Sequence, residues 1–127
     1  MNILLCDDSN VMLSLFERRL VAAGYKVVGK ARDGFECIEL YKRMRPDLVL
    51  LDITMPNKDG RECLVELLTL DSAASVIMVS AVADGEVQTN CMNVGAKAFI
   101  SKARLRSDEE FKTNVLDTLQ SVFKTAA

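Results

Sequence analysis

The sequence contains no histidine among its 127 residues. This absence excludes Ser-His-Asp and Cys-His catalysis and any role for the chain as a phosphohistidine carrier. The four cysteines, Cys6, Cys37, Cys63 and Cys91, lie far apart and form no Cys-x-x-Cys motif. A soft metal site is therefore not expected. The cysteines are interpreted as small buried hydrophobic residues in a reducing compartment.

The sequence also lacks a strong excess of either charge and has no long apolar run. It has 16 basic and 18 acidic residues, for a net charge of −2. This balance lacks the excess of basic residues that is typical of proteins that bind nucleic acid or an anionic membrane. The apolar run after Met1 is too short for a signal peptide and has no basic flank, and no stretch approaches the length of a membrane span. We therefore expect a cytoplasmic chain without a nucleic-acid or membrane partner.

Apolar segments rich in Val, Ile and Leu alternate with segments of helical periodicity along the whole chain. The predicted strands are 2–6, 26–29, 47–51, 75–79 and 97–100. They do not alternate polar with apolar residues, which is typical of strands covered on both faces of a parallel sheet. The pattern predicts one domain, 1–127, with a flavodoxin-like (βα)5 doubly wound α/β fold. The strand order, 2-1-3-4-5, is taken from a common arrangement of such sheets.

The predicted helices lie between these strands. The first closes at Gly24, the second begins after Asp33 and ends before Pro46, the third is 60–70, the fourth starts at Asp84, and the last is capped by Ser107. The helical spacing is shown by Met12, Leu15, Phe16, Arg19 and Leu20; Cys37, Ile38 and Tyr41; Cys63, Leu64, Leu67 and Leu68; Val87, Cys91 and Val94; and Phe111, Val115, Leu119 and Val122.

Polar residues with chemical function stand at the ends of four predicted strands. They are Asp7-Asp8, Asp52, Ser80 and Lys102. Because the carboxyl ends of parallel strands share one edge of the sheet, we expect the aspartates to converge. Each like-charge pair at about 4 Å costs on the order of 4 kcal/mol at an effective dielectric near 20, so the cluster needs a cation or a raised pKa. An all-oxygen site suits magnesium or manganese.

Each of these residues also has an ordinary structural explanation when it is taken alone. The Asp7-Asp8 pair could cap a helix, Asp52 could belong to a turn, Ser80 could cap a strand end, and Lys102 could be a solvated surface lysine. Their joint placement at four strand ends is much harder to explain in this way. The pattern therefore favours one functional site.

The motifs around these positions resemble those of a known family. The run from Asp47 to Pro56, together with Asp7-Asp8, Gly60, Ser80-Ala81, Gly95-Ala96 and Lys102, resembles the receiver domain of two-component response regulators, most closely the single-domain chemotaxis regulators. The resemblance implies a phospho-aspartate switch in which Asp52 accepts a phosphoryl group from a histidine kinase. It implies magnesium ligands at Asp7, Asp8, Asp52 and the Thr54 backbone carbonyl. Ser80 and Lys102 would contact the phosphoryl group, and Phe99 would be an aromatic switch.

The resemblance also implies partners and a mode of action. A downstream target would dock on helix 4, strand 5 and helix 5, around Val87, Asn90, Phe99 and Arg104, and a phosphatase is a further candidate partner. The chain would be a signalling domain rather than an enzyme, with intrinsic magnesium-dependent autophosphorylation and autodephosphorylation. Thr54 and Val82 stand at positions that tune these rates in the family.

The sequence departs from the family after Lys102. Ala103 stands where proline is usual, and the connection 103–107 is longer than expected. A cis bond before a residue other than proline costs about 2.5–4 kcal/mol, so we expect a trans Lys102–Ala103 bond. We expect Lys102 still to reach the Asp52 cleft, because strand 5 fixes its backbone and its side chain is long.

Three other functions remain open at this point. An aspartyl-nucleophile phosphohydrolase uses similar groups, but the second acid of its Asp-x-Asp motif is missing after Asp52. A degenerate receiver that acts only as a binding platform does not explain the intact acidic cluster. The chain could also be a receiver excised from a larger response regulator, although no basic recognition helix lies within these residues.

Overall fold

The computed structural model describes residues 1–81, 85–105 and 107–126. Five parallel strands form one sheet: β1 (Asn2–Cys6), β2 (Lys26–Ala31), β3 (Leu48–Asp52), β4 (Val76–Ser80) and β5 (Ala98–Ser101). Their order is β2-β1-β3-β4-β5, which confirms the predicted fold and strand order. The last three strands begin and end one residue later than predicted, so Asp52 and Ser80 are the final residues of β3 and β4.

Helices α1 (Asn10–Ala22), α2 (Gly34–Met44), α3 (Gly60–Leu70) and α4 (Gly85–Val94) connect the strands. The predicted start of the second helix after Asp33 and the predicted cap at Ser107 are confirmed. The side chain of each residue accepts a hydrogen bond from a backbone amide of the first helical turn. Gly24 and Gly95 follow α1 and α4 with positive φ angles, which glycine adopts readily. Asp84, the predicted start of the fourth helix, and Val82 lie outside the described residues.

The core has one apolar layer on each face of the sheet. One layer contains buried residues of α2, α3 and α4, and the other contains buried residues of α1 and the C-terminal helix. All four cysteines are buried and free, as their interpretation as small hydrophobic residues requires. The apolar face predicted for the fourth helix extends too far. Val94 is the last residue of α4 and is 46% exposed, so Val87 and Cys91 provide the packing of that helix.

The C-terminal helix, α5, is not regular. It starts with Asp108–Phe111, passes through a π-helical segment, Lys112–Leu116, and ends with Asp117–Ala126. Its buried residues Phe111, Val115 and Leu119 recur every four positions. A wider π turn keeps such a spacing on one face, because its hydrogen bonds span five residues. Among the described residues, no helix has the length and apolarity that crossing a bilayer requires.

Candidate functional site

The three predicted aspartates converge at the carboxyl edge of the sheet. Asp7 and Asp8 follow β1, and Asp52 ends the neighbouring strand β3. One carboxylate oxygen from each lies within 4.8 Å of the others. Asp7 is 6% exposed and Asp52 is 4% exposed, whereas Asp8 is open to solvent. Two buried acids and one exposed acid therefore form a shallow oxygen-lined cleft.

Lys102 joins this cluster from β5, on the far side of β4. Its Nζ lies 2.8 Å from Asp7 Oδ2 and 3.3 Å from Asp52 Oδ2. The bond between Lys102 and Ala103 is trans, since no cis peptide bond occurs in the described part of the chain. Both expectations for this segment are confirmed. The ammonium group reaches the acids despite the missing proline.

Burial and charge set the protonation of the cluster. Burial, together with the nearby negative charge of Asp7, raises the pKa of Asp52 to about 6, although Lys102 and the backbone amide of Thr54 favour the ionised carboxylate. Burial by itself lowers the pKa of Lys102, but its bonds to Asp7 and Asp52 outweigh burial, and the net pKa is raised. One ammonium group thus faces three carboxylates. The excess of negative charge and the all-oxygen donor set fit a hard divalent cation such as magnesium or manganese.

The raised pKa of Asp52 predicts a pH dependence of stability without divalent ions. A carboxyl group whose pKa is higher in the folded state makes the fold more stable at low pH, where the group is protonated in both states, than at high pH, where it is ionised in both. That contribution, on the order of 2–3 kcal/mol, should be lost as the pH rises from about 4 to above 6. Urea denaturation in EDTA across this range should show the loss in the wild type but not in Asp52→Asn. Parallel curves for the two proteins would refute the raised pKa.

Ser80 and Phe99 lie on the next two strands of the sheet, Ser80 at the carboxyl end of β4 and Phe99 two residues before the end of β5. Ser80 ends β4, is fully buried and pairs in register with Ser101 of β5. Phe99 is partly buried and packs against the core layer that contains α4. It also lines a groove of about 560 Å³ between α4, β5 and α5, to which Gln88 and Arg104 contribute. The two predicted switch residues thus lie on neighbouring strands, and Phe99 contributes to a surface groove.

Gly60 belongs to the motifs that carry the family resemblance, but the sequence does not indicate its structural role. The Gly60 amide donates to the Ile53 carbonyl at 2.8 Å, which draws the start of α3 against the end of β3. A Cβ atom at Gly60 would lie 2.0 Å from the Asp52 carbonyl oxygen. Two further contacts fasten this loop to α2: Asn57 donates to Asp33, and Gly34 donates to the Lys58 carbonyl. Only a residue without a side chain permits this approach to Asp52.

Gly60→Ala is therefore expected to displace the β3–α3 backbone and destabilise the fold by about 2–3 kcal/mol. Gly85→Ala is a matched control, because a Cβ at Gly85 meets nothing within 4 Å. Thermal and urea denaturation of both variants measure the difference. Equal stability of the two alanine variants would show that the approach of Gly60 to Asp52 is not required.

The comparison with known proteins identifies the family. Residues 3–113 match the response regulator receiver domain. The chain belongs to this family. Its similarity to chemotaxis proteins makes it a CheY-type receiver domain. It is 40% identical to the chemotaxis protein CheY of Bacillus subtilis over 100 residues, which cover 79% of this chain and 83% of that protein.

Other relatives give the same result. The receiver domain is 42% identical over 100 residues to protein CcdB of Bacillus subtilis, again covering 79% of this chain and 83% of that protein. A crystal structure of the CheX-CheY-BeF3-Mg2+ complex from Borrelia burgdorferi contains a similar chain, with a TM-score of 0.88 and 34% sequence identity, covering 97% of this chain and 89% of that one. The fold and the family prediction are therefore both confirmed.

Proposed function

We propose that the receiver domain is a signalling switch whose phosphoacceptor is Asp52. The observation that carries this proposal is the position of its buried carboxylate, beside Asp7 and 3.3 Å from the Lys102 ammonium group. A carboxylate in this setting is held in one place and faces a positive charge. These are the two conditions that phosphoryl transfer requires of the groups around it.

Asp7, Asp8, Asp52 and the Thr54 carbonyl would hold magnesium, or manganese in its place. The fit rests on the three converging carboxylates and on their excess negative charge. When bound, a divalent cation neutralises negative charge on the oxygens of a transferring phosphoryl group. The residues of the chain supply the remaining interactions.

Phosphorylation at this site would be a simple displacement at phosphorus. A carboxylate oxygen of Asp52 attacks the phosphorus of a phosphohistidine on a kinase. The P–N bond breaks as the P–O bond forms, and the leaving imidazole keeps the electron pair. The Lys102 ammonium group and the Ser80 hydroxyl donate to the phosphoryl oxygens. Attack of water on phosphorus later releases inorganic phosphate and restores the carboxylate, with or without a phosphatase partner.

Phosphorylation would change the binding of a target protein at the groove between α4, β5 and α5. Movement of Ser80 toward the phosphoryl group on Asp52 would open space for Phe99, which lies on the neighbouring strand. The rotation of Phe99 would change the surface near Val87, Asn90 and Arg104, where a target protein docks. Phosphorylation of Asp52 would thus be coupled to the shape of this surface.

Charge reversal at Arg104 tests the docking surface. Arg104 is exposed and lines the groove, so Arg104→Glu should weaken binding of a target on the order of ten-fold while leaving phosphate uptake unchanged. Calorimetric titration with a purified target that binds the phosphorylated domain measures the affinity. Arg43→Glu, on the exposed face of α2, is the control. Equal affinity of wild type and Arg104→Glu would place the docking surface elsewhere.

Incubation with acetyl phosphate, followed by intact mass measurement, tests the proposed function. The wild-type domain should gain one phosphate in the presence of magnesium and none in EDTA. Continuous release of phosphate from unrelated phosphomonoesters would instead favour an aspartyl-nucleophile phosphohydrolase. No gain with any small phosphodonor would contradict intrinsic phosphorylation of the receiver domain.

A further inference from the structure

Lys102 stands at a weakly supported point of the backbone. It follows β5, which is an edge strand paired only with β4 among the described strands. Lys102 begins a single 3-10 turn, Lys102–Arg104. The Ala103 amide in this turn donates to Ser101 Oγ at 3.3 Å. Ala103 and Arg104 are exposed. A short turn with exposed residues does not by itself fix the direction of a long, flexible lysine side chain.

Two contacts from outside the turn hold it in place. Leu105 is 5% exposed and packs in the core layer that contains α1 and α5. Asn114 of α5 donates through Nδ2 to the carbonyl oxygen of Arg104 at 3.0 Å. The same Nδ2 group donates to the Glu110 carbonyl one helical turn earlier, also at 3.0 Å. One side-chain amide therefore joins the connection after Lys102 to the body of α5.

The helix is irregular at the residue that makes this contact. Asn114 is the central residue of the π-helical segment Lys112–Leu116 and is half-buried. Thr118 Oγ1 donates in turn to the Asn114 carbonyl at 2.9 Å. π-helical segments are rare in proteins, but those that occur often lie at functional sites. Here the segment contains Asn114, whose side chain is hydrogen-bonded to the Lys102–Arg104 turn.

We propose that Asn114 is a positioning residue for phosphorylation and acts through Lys102. Its hydrogen bond fixes the Arg104 carbonyl, two residues after Lys102, so that the lysine Nζ lies between Asp7 and Asp52. This inference rests on the proposed function, because a role of Lys102 in phosphorylation requires that Asp52 is the phosphoacceptor. Asn114 itself touches none of the three aspartates and is not part of the metal site.

Asn114→Asp is the most direct variant, because it keeps the shape and replaces the donor with a carboxylate that faces two carbonyl oxygens. Its maximal rate of phosphorylation by acetyl phosphate should fall on the order of ten-fold, since small misplacements of a catalytic group reduce rates strongly. Magnesium affinity should stay unchanged. Asn93→Asp on the exposed surface of α4 is the matched control and should keep the wild-type rate. Asn114→Ala removes the bond without adding charge and should show a smaller decrease, which covers the case that Asn114→Asp does not fold.

A double-mutant cycle with Lys102→Met separates positioning from general damage. If Asn114 acts through Lys102, the Asn114 substitutions should have no further effect on the rate in the Lys102→Met background. An equal loss in both backgrounds would overturn the inference, as would a wild-type rate in folded Asn114→Asp and Asn114→Ala. A wild-type domain that gains no phosphate would instead overturn the proposed function, so the two failures are distinguishable.

Discussion

Replacing Asp52 with asparagine is expected to abolish phosphate uptake from acetyl phosphate in the presence of magnesium. The amide is a poor nucleophile, and the remaining acids of the cluster, Asp7 and Asp8, differ from Asp52 in their setting. Asp7 oxygens already bind Lys102 and the Ser9 amide, and Asp8 is exposed. Asp52 is buried, unlike Asp8, and its contact with the Lys102 ammonium group is longer than that of Asp7, at 3.3 Å against 2.8 Å.

The fold should survive this substitution. Without divalent ions the asparagine variant should be more stable than the wild type at neutral pH, because a buried negative charge is removed. Asp59→Asn is the matched control. Asp59 caps α3 by accepting from the Arg61 and Glu62 amides, a role that asparagine performs equally well. Intact mass should show one phosphate on the control and none on Asp52→Asn. Unchanged uptake by Asp52→Asn would place the phosphoacceptor at another residue.

Replacing Lys102 with methionine should have the second largest effect. Phosphorylation should slow on the order of 100-fold, because an ammonium group aimed at the developing phosphoryl charge is lost. The metal-free fold should lose about 3 kcal/mol, since two carboxylates that are nearly buried remain without their cation. Magnesium should restore part of this stability.

The pH dependence distinguishes this loss from a packing defect. Removal of the ammonium raises the pKa of Asp52 further, so the destabilisation should be largest above the wild-type value of about 6 and should shrink as the pH falls. Lys97→Met is the control, since Lys97 is exposed and its backbone amide still donates to the Val76 carbonyl. Denaturation curves at several pH values measure both variants. A deficit of equal size at acidic and neutral pH would point to packing rather than charge.

The sequence predicted the fold and the convergence of the aspartates because both follow from local patterns. Buried strands without alternation imply a parallel sheet, and a parallel sheet brings Asp7, Asp8 and Asp52 to one edge. The contact of Lys102 with two of them was predictable from its place after β5 and the length of its side chain. The bounds of the last three strands were misplaced by one residue and the end of β2 by two, and Val94 was assigned to an apolar face beyond the part of α4 that packs.

Features that depend on contacts between distant segments were not predictable in this way. No local signal shows that Gly60 must approach the Asp52 carbonyl oxygen, since glycine at the start of a helix has several explanations. Asn114 is an ordinary polar residue of an amphipathic helix until the fold brings it to the Arg104 carbonyl. The residues that fix the positions of catalytic groups are therefore less visible in sequence than the groups themselves.

The most direct test of the account is to locate the phosphoryl group within the chain. After incubation with acetyl phosphate and magnesium, borohydride reduction converts an acyl phosphate on aspartate to homoserine, and peptide sequencing by mass spectrometry shows its position. If Asp52 is the phosphoacceptor, homoserine should appear at position 52 and at no other aspartate of the cluster. Homoserine at Asp7 or Asp8, or a phosphate that resists reduction and maps to Ser80, would contradict it.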